Sequence, residues 1–118
     1  MTLNVKFGKQ EDVSIRRDLQ DNSVEYIVVG DKTVDRSIEI SYSLELPIGN
    51  RAIFGTLYLV QEGSNIIVDN EYSFIPPLIE SISYAGSFDG NDIVLEITTS
   101  GIGENPIFLY RTSKFEIL

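Results

Sequence analysis

The 118-residue sequence contains no cysteine, no histidine and no tryptophan. Without cysteine there are no disulfides and no thiolate chemistry, which fits a reducing compartment. Without histidine and cysteine, zinc, copper and most iron sites are excluded. Ser-His and Cys-His nucleophile systems are excluded with them. Basic residues are also scarce, nine against eighteen acidic ones, for a formal charge of −9. The only adjacent basic pair, Arg16-Arg17, is followed at once by Asp18. Phosphate binding relies on clustered Lys and Arg, so nucleic acid is not an expected partner. The acidity reads as solubility and self-avoidance. No stretch approaches the ~18 consecutive apolar residues of a membrane helix, so no membrane is expected either. The first ten residues, MTLNVKFGKQ, lack the apolar core of a secretory signal. The expectation is a cytoplasmic protein, with an excised or processed chain as the alternative.

What remains is an ordinary globular composition, 42% hydrophobic and 23% charged, at the usual size of one domain. Residues 1–118 are therefore expected to form a single domain. Gly, Asn, Asp and Ser clusters punctuate the chain at short intervals, and runs rich in Val, Ile, Tyr, Phe and Thr lie between them. This is the pattern of many short antiparallel strands. No window shows a convincing helical period, and no internal repeat is evident. In the ambiguous stretch EDVSIRRDL (11–19), strand is favoured over a helical turn.

SIEISYSLEL (37–46) alternates throughout. Ile38, Ile40, Tyr42, Leu44 and Leu46 fall on one side, and Ser37, Glu39, Ser41, Ser43 and Glu45 on the other. PIGN (47–50) then turns the chain. Pairing Leu46 with Arg51 sets Leu44 opposite Ile53, Tyr42 opposite Gly55, Ile40 opposite Leu57 and Ile38 opposite Leu59. A ring lying across a glycine is sensible packing. Gly63-Ser64 suits a two-residue hairpin turn. It places Leu59 opposite Val68, Gly55 opposite Tyr72 and Ile53 opposite Phe74, on one apolar face interrupted by Asn70. Ile75-Pro76-Pro77 ends the strand and reads as a crossing between sheets, since proline cannot donate to a ladder.

Asp89-Gly90 marks a third hairpin. Ile82, Tyr84, Phe88, Ile93, Leu95 and Ile97 would point inward from it. SGIGEN (100–105) reads as a hairpin loop leading to PIFLYRTSKFEIL, a strand expected to break near Thr112-Ser113. NVKF, VEYIVVG and the turn GDKT supply two or three more strands at the front. The fold class is all-β: one antiparallel β-sandwich of about eight or nine short strands, with a small closed β-barrel as the alternative.

The same register defines an outward face. Phe54, Tyr58, Val60 and Ile67 stand there among Ser37, Glu39, Ser41, Ser43, Glu45, Asp69 and Glu71. One reading is that the N-terminal segment or a loop covers them, making 51–61 a core strand. The other is a protein-contact surface: aromatic and aliphatic anchors Phe54, Tyr58, Val60 and Ile67 rimmed by Glu39 and Asp69. The partner would be another copy or another protein, giving a homo-oligomer or a place in a larger assembly. The C-terminal KFEIL offers a second route, as an edge-strand donor.

Other chemistry is thinly supported. Calcium needs only oxygen ligands, and Asp89-Gly-Asn-Asp92 or Asp69 with Glu71 are the candidates; neither matches an EF-hand spacing. Glu39, Asp69 and Glu71 beside Tyr58 are the best carboxylate constellation for glycoside hydrolysis, but Glu beside Ser is the default of a solvated sheet. Gly101-x-Gly103 has no strand-to-helix context, so a phosphate loop is not supported. Six Tyr and six Phe suggest sugar stacking, which the absence of tryptophan weakens. The expectation is a non-enzymatic structural, assembly or protein-interaction module with no cofactor. It would suit a subunit of a larger particle, including a phage or virus component. A carbohydrate- or calcium-binding module is the alternative.

Overall fold

Alternation of β-branched and polar residues, broken by short turns, gives strand after strand. The computed structural model describes residues 9–10, 14–72 and 81–117. It contains β1 (Lys9–Gln10), β2 (Ile15–Asp18), β3 (Val24–Asp31), β4 (Asp35–Leu46), β5 (Arg51–Glu62), β6 (Asn65–Tyr72), β7 (Ile82–Asp89), β8 (Asp92–Thr99) and β9 (Ile107–Glu116). All pairings are antiparallel. The large sheet runs β1-β9-β4-β5-β6, with β2 also on β9; the small sheet runs β3-β8-β7. The two sheets are separate and do not close on each other, so the fold is a sandwich and the barrel alternative is excluded. EDVSIRRDL supplies β2, and VEYIVVG supplies β3. NVKF lies outside the described residues.

The β4–β5–β6 meander has the register its turns imply. Leu46 pairs with Arg51, Tyr42 with Gly55 and Ile38 with Leu59; Leu59 then pairs with Val68 and Gly55 with Tyr72. The proposed Ile53–Phe74 pair lies outside the described residues. Pro47-Ile48-Gly49-Asn50 closes through the Asn50 N–H donating to the Pro47 carbonyl at 3.1 Å, with Asn50 at φ 49°. Gly63, at φ 61°, takes the first turn position of the next hairpin, where a Cβ would be strained. Ile75-Pro76-Pro77 also lies outside the described residues, but the strands on either side, β6 and β7, do belong to different sheets.

Two local expectations need correcting. Asp89 pairs with Asp92, so the reversal falls on Gly90-Asn91, one residue later than Asp89-Gly90. Parity survives that shift because moving a turn by one residue changes each partner by two; Phe88, which a turn at 89–90 would set opposite Asn91, pairs with Ile93 and keeps its inward side. SGIGEN is not a hairpin loop, because β8 lies in the small sheet and β9 in the large one. The Asp21 carboxylate anchors this crossing, accepting from the N–H groups of Asn22 (2.9 Å), Ile102 (3.0 Å) and Gly103 (2.8 Å). Those donors, Gly103 first, hold the Asp21 pKa below the ordinary carboxylate value. The Glu104 carboxylate accepts from the N–H groups of Ile48 and Gly49, tying the same loop to the PIGN turn.

β9 is continuous through Thr112-Ser113 and is not an edge. It pairs with β4 along its length and with β1 and β2 on its other side. Within KFEIL, Lys114, Phe115 and Glu116 already pair with β4 and the Ile117 N–H donates to Val34 O, so these residues are part of the sheet and not a free strand awaiting a partner.

The inward residues of both sheets form one core that includes Ile38, Ile40, Leu44, Leu57, Leu95 and Phe108. Tyr42 stacks on Phe108 at 5.3 Å between ring centroids and meets Tyr84 at 5.4 Å. Asn70 does not break this face as a stray polar group. Its side-chain oxygen accepts from the Tyr42 hydroxyl at 3.0 Å, which satisfies both groups inside the sandwich. Burial raises the pKa of Tyr84 well above the ordinary tyrosine value.

Candidate functional site

Cross-strand register arranges the outer side of the large sheet in rows. One row reads Phe115, Ser37, Val60, Ile67 across β9, β4, β5 and β6. The next reads Ser113, Glu39, Tyr58, Asp69, and the third Arg111, Ser41, Thr56, Glu71. A fourth joins Arg16, Leu109, Ser43 and Phe54. Two polar rows thus lie between rows carrying apolar groups. All six residues expected from sequence, Phe54, Tyr58, Val60, Ile67, Glu39 and Asp69, share this one face.

Phe54 is 48% exposed, Val60 38% and Ile67 49%; Phe115, at 40%, joins them from β9. Among the described residues, no segment covers these side chains. Tyr58 and Glu39 are half-buried, and Asp69 and Glu71 are exposed. The Tyr58 hydroxyl donates to Glu71 Oε2 at 3.5 Å, the long limit of a hydrogen bond. Partial desolvation, then the charges of Glu71, Glu39 and Asp69, keep the Tyr58 pKa above the ordinary value. Chemically, the face offers apolar anchors, a phenol and the carboxylates of Glu39, Glu45, Asp69 and Glu71, with Arg111 on β9. Among the described residues, no group of three or more acidic side chains has an arrangement able to hold a metal ion. Asp89 and Asp92 sit exposed at a hairpin tip.

Two features escaped sequence reasoning. The first is the outer side of the small sheet, where Val24, Tyr26 and Val28 of β3 are 43%, 60% and 59% exposed. The alternation in VEYIVVG holds that signal, with Ile27 and Val29 buried between them. The second is a cleft of about 250 Å³ between β3 and the β2–β9 edge, lined in part by Ile15, Gly30, Asp35, Tyr110, Thr112 and Lys114. Asp35 is buried and its carboxylate accepts from the Asp31 N–H at 2.9 Å. Arg17 spans the same side, donating to Glu25 at 3.4 Å and to the Tyr26 carbonyl at 3.3 Å. This cleft depends on pairing between distant segments, so no local motif announces it.

No family model matches the sequence, and no curated protein matches it. Among solved structures, the chain resembles part of the tailspike protein gp49 of Acinetobacter baumannii bacteriophage Fri1, a capsular polysaccharide depolymerase. The TM-score is 0.60 at 12% identity, and the likeness covers 97% of this chain. The chain corresponds to 19% of the tailspike chain's length. At that identity the likeness is one of fold.

Proposed function

We propose that this chain is a non-enzymatic β-sandwich module of a structural or assembly protein, acting as one domain through the outer face of its large sheet. One observation carries the reading: Phe54, Val60, Ile67 and Phe115 are exposed on a regular sheet face that they share with Ser37, Glu39, Ser41, Ser43, Asp69 and Glu71. An exposed apolar patch with a polar surround is how contact surfaces are built. The fold-level likeness to a stretch of a phage tailspike supports a place in a phage particle, by analogy of architecture.

The experiment compares the native assembly isolated from the source with one carrying Phe54→Ser and Ile67→Ser. The expected result is a variant that melts as the parent does but falls out of the assembly. Equal incorporation of the variant would contradict the reading.

The neighbour's polysaccharide activity favours one second reading, in which Tyr58 with Glu39, Asp69 and Glu71 contacts a sugar. A glycan array read with the parent and with Tyr58→Ala tests it; binding by the parent that the variant loses would support it, and an array without hits would dismiss it.

A further inference from the structure

We infer that the occupant of this outer face is a second copy of the same chain, related by a two-fold axis running along the strands between β4 and β5. The inference rests on the contact-surface reading above and adds the partner. The reason lies in how charge is distributed across the rows. Arg111 stands on β9 and Glu71 on β6, at opposite ends of one row, both exposed. Rotating a copy about an axis along the strands lays β9 over β6 and β4 over β5, and keeps each row facing itself. Arg111 of each copy then faces Glu71 of the other, so the symmetry makes the pair twice. The apolar row also meets itself, Phe115 over Ile67, and Glu39 comes over the Tyr58 hydroxyl.

The alternative in-plane axis, across the strands, lays β6 over β6 and β9 over β9. It would gather Asp69 and Glu71 of both copies in one place and set Arg111 against Arg111. Like charges brought together in an interface are strongly disfavoured, so the charge pattern selects the first axis. An isologous interface needs this kind of self-complementarity, and aligned packing of sheet on sheet accommodates it. The four rows span about 24 Å along the strands and the four strands about 19 Å across them, using ~3.4 Å per residue and ~4.8 Å per strand. That is roughly 450 Å² per copy, below the ~800 Å² of a standard interface. With a net charge of −9 on each copy, the dimer is expected to be weak, micromolar or weaker, and to depend on salt.

Sedimentation equilibrium of the purified chain, from about 1 µM to about 1 mM at low salt, is the test. A monomer–dimer equilibrium is expected. Arg111→Glu and Glu71→Arg should each weaken it about tenfold or more, because each homodimer then holds two repulsive pairs. Mixing the two variants should restore association, since the heterodimer regains both pairs. Both side chains are exposed, so neither change endangers the fold; matched melting curves verify this. A parent that stays monomeric throughout overturns the inference. Charge variants that associate as tightly as the parent, or a mixture no tighter than its components, do so too. If the purified chain is monomeric while Phe54→Ser with Ile67→Ser still leaves the native assembly, the contact-surface reading stands and its partner is a different protein.

Discussion

β5 carries two apolar sets on opposite sides, and they meet different fates. Ile53, Leu57 and Leu59 are buried against the small sheet, with Leu57 fully so, while Phe54 and Val60 stand half-exposed on the outer side. Hydrophobicity alone does not separate the two sets. What separates them is that the inner set has a second layer to pack against, and the outer set has none among the described residues. Burial is thus a property of register and layering, and a strand apolar on both sides in a two-layer fold leaves one apolar side without a second layer.

Breaking the inner set should cost most. Leu57→Ala is expected to destabilise by about 2–5 kcal/mol, the range for buried leucine truncations, read by denaturant or thermal unfolding. Gly55→Ala comes next. A Cβ there would lie 2.6 Å from the Tyr42 hydroxyl and 2.9 Å from the Glu71 carbonyl oxygen. Backbone cannot yield easily, so a loss of about 1–3 kcal/mol is expected. A neutral Gly55→Ala would show that Tyr42 does not lie across β5. Tyr42→Phe should cost about 1 kcal/mol, since it leaves the Asn70 oxygen without its donor.

The pH response sharpens the picture at the sandwich end. Asp21 has a lowered pKa in the folded chain. Its contribution is present above the unfolded-state value and fades as pH falls through the folded-state value. Asp21→Asn should therefore flatten the acid limb of a melting-temperature profile; an unchanged limb would remove the anchoring role of the loop contacts. The smallest effect is expected outside, where Phe54→Ser should change stability by no more than about 0.5 kcal/mol, as surface substitutions do.

The sequence disclosed those parts of the fold that local turn chemistry controls. Pro47–Asn50 and Gly63-Ser64 fix register by geometry, and the alternation beside them has only one consistent inward side. Both hairpins, and the placement of Phe54, Tyr58, Val60, Ile67, Glu39 and Asp69 on one face, followed from that. Pairings between distant segments carry no such signature. Nothing near Lys114 announces that β9 sits between β4 and the β1–β2 pair, which is why KFEIL looked like a free edge. Likewise, Gly101 and Gly103 mark a change of direction, but only the anchoring by Asp21, some eighty residues earlier, makes SGIGEN a crossing between sheets. Tyr26 was visible as alternation; its exposure was not, because that depends on β3 lying at the end of the small sheet.

The two outer faces, one around Phe54 and the other around Tyr26, are the natural rivals for partner contact. A photo-cross-linking side chain placed at position 54 in one variant and at position 26 in another, each within the native assembly, decides between them. If the large sheet carries the contact, the product forms chiefly from position 54. Efficient coupling from position 26 with none from position 54 would contradict that assignment.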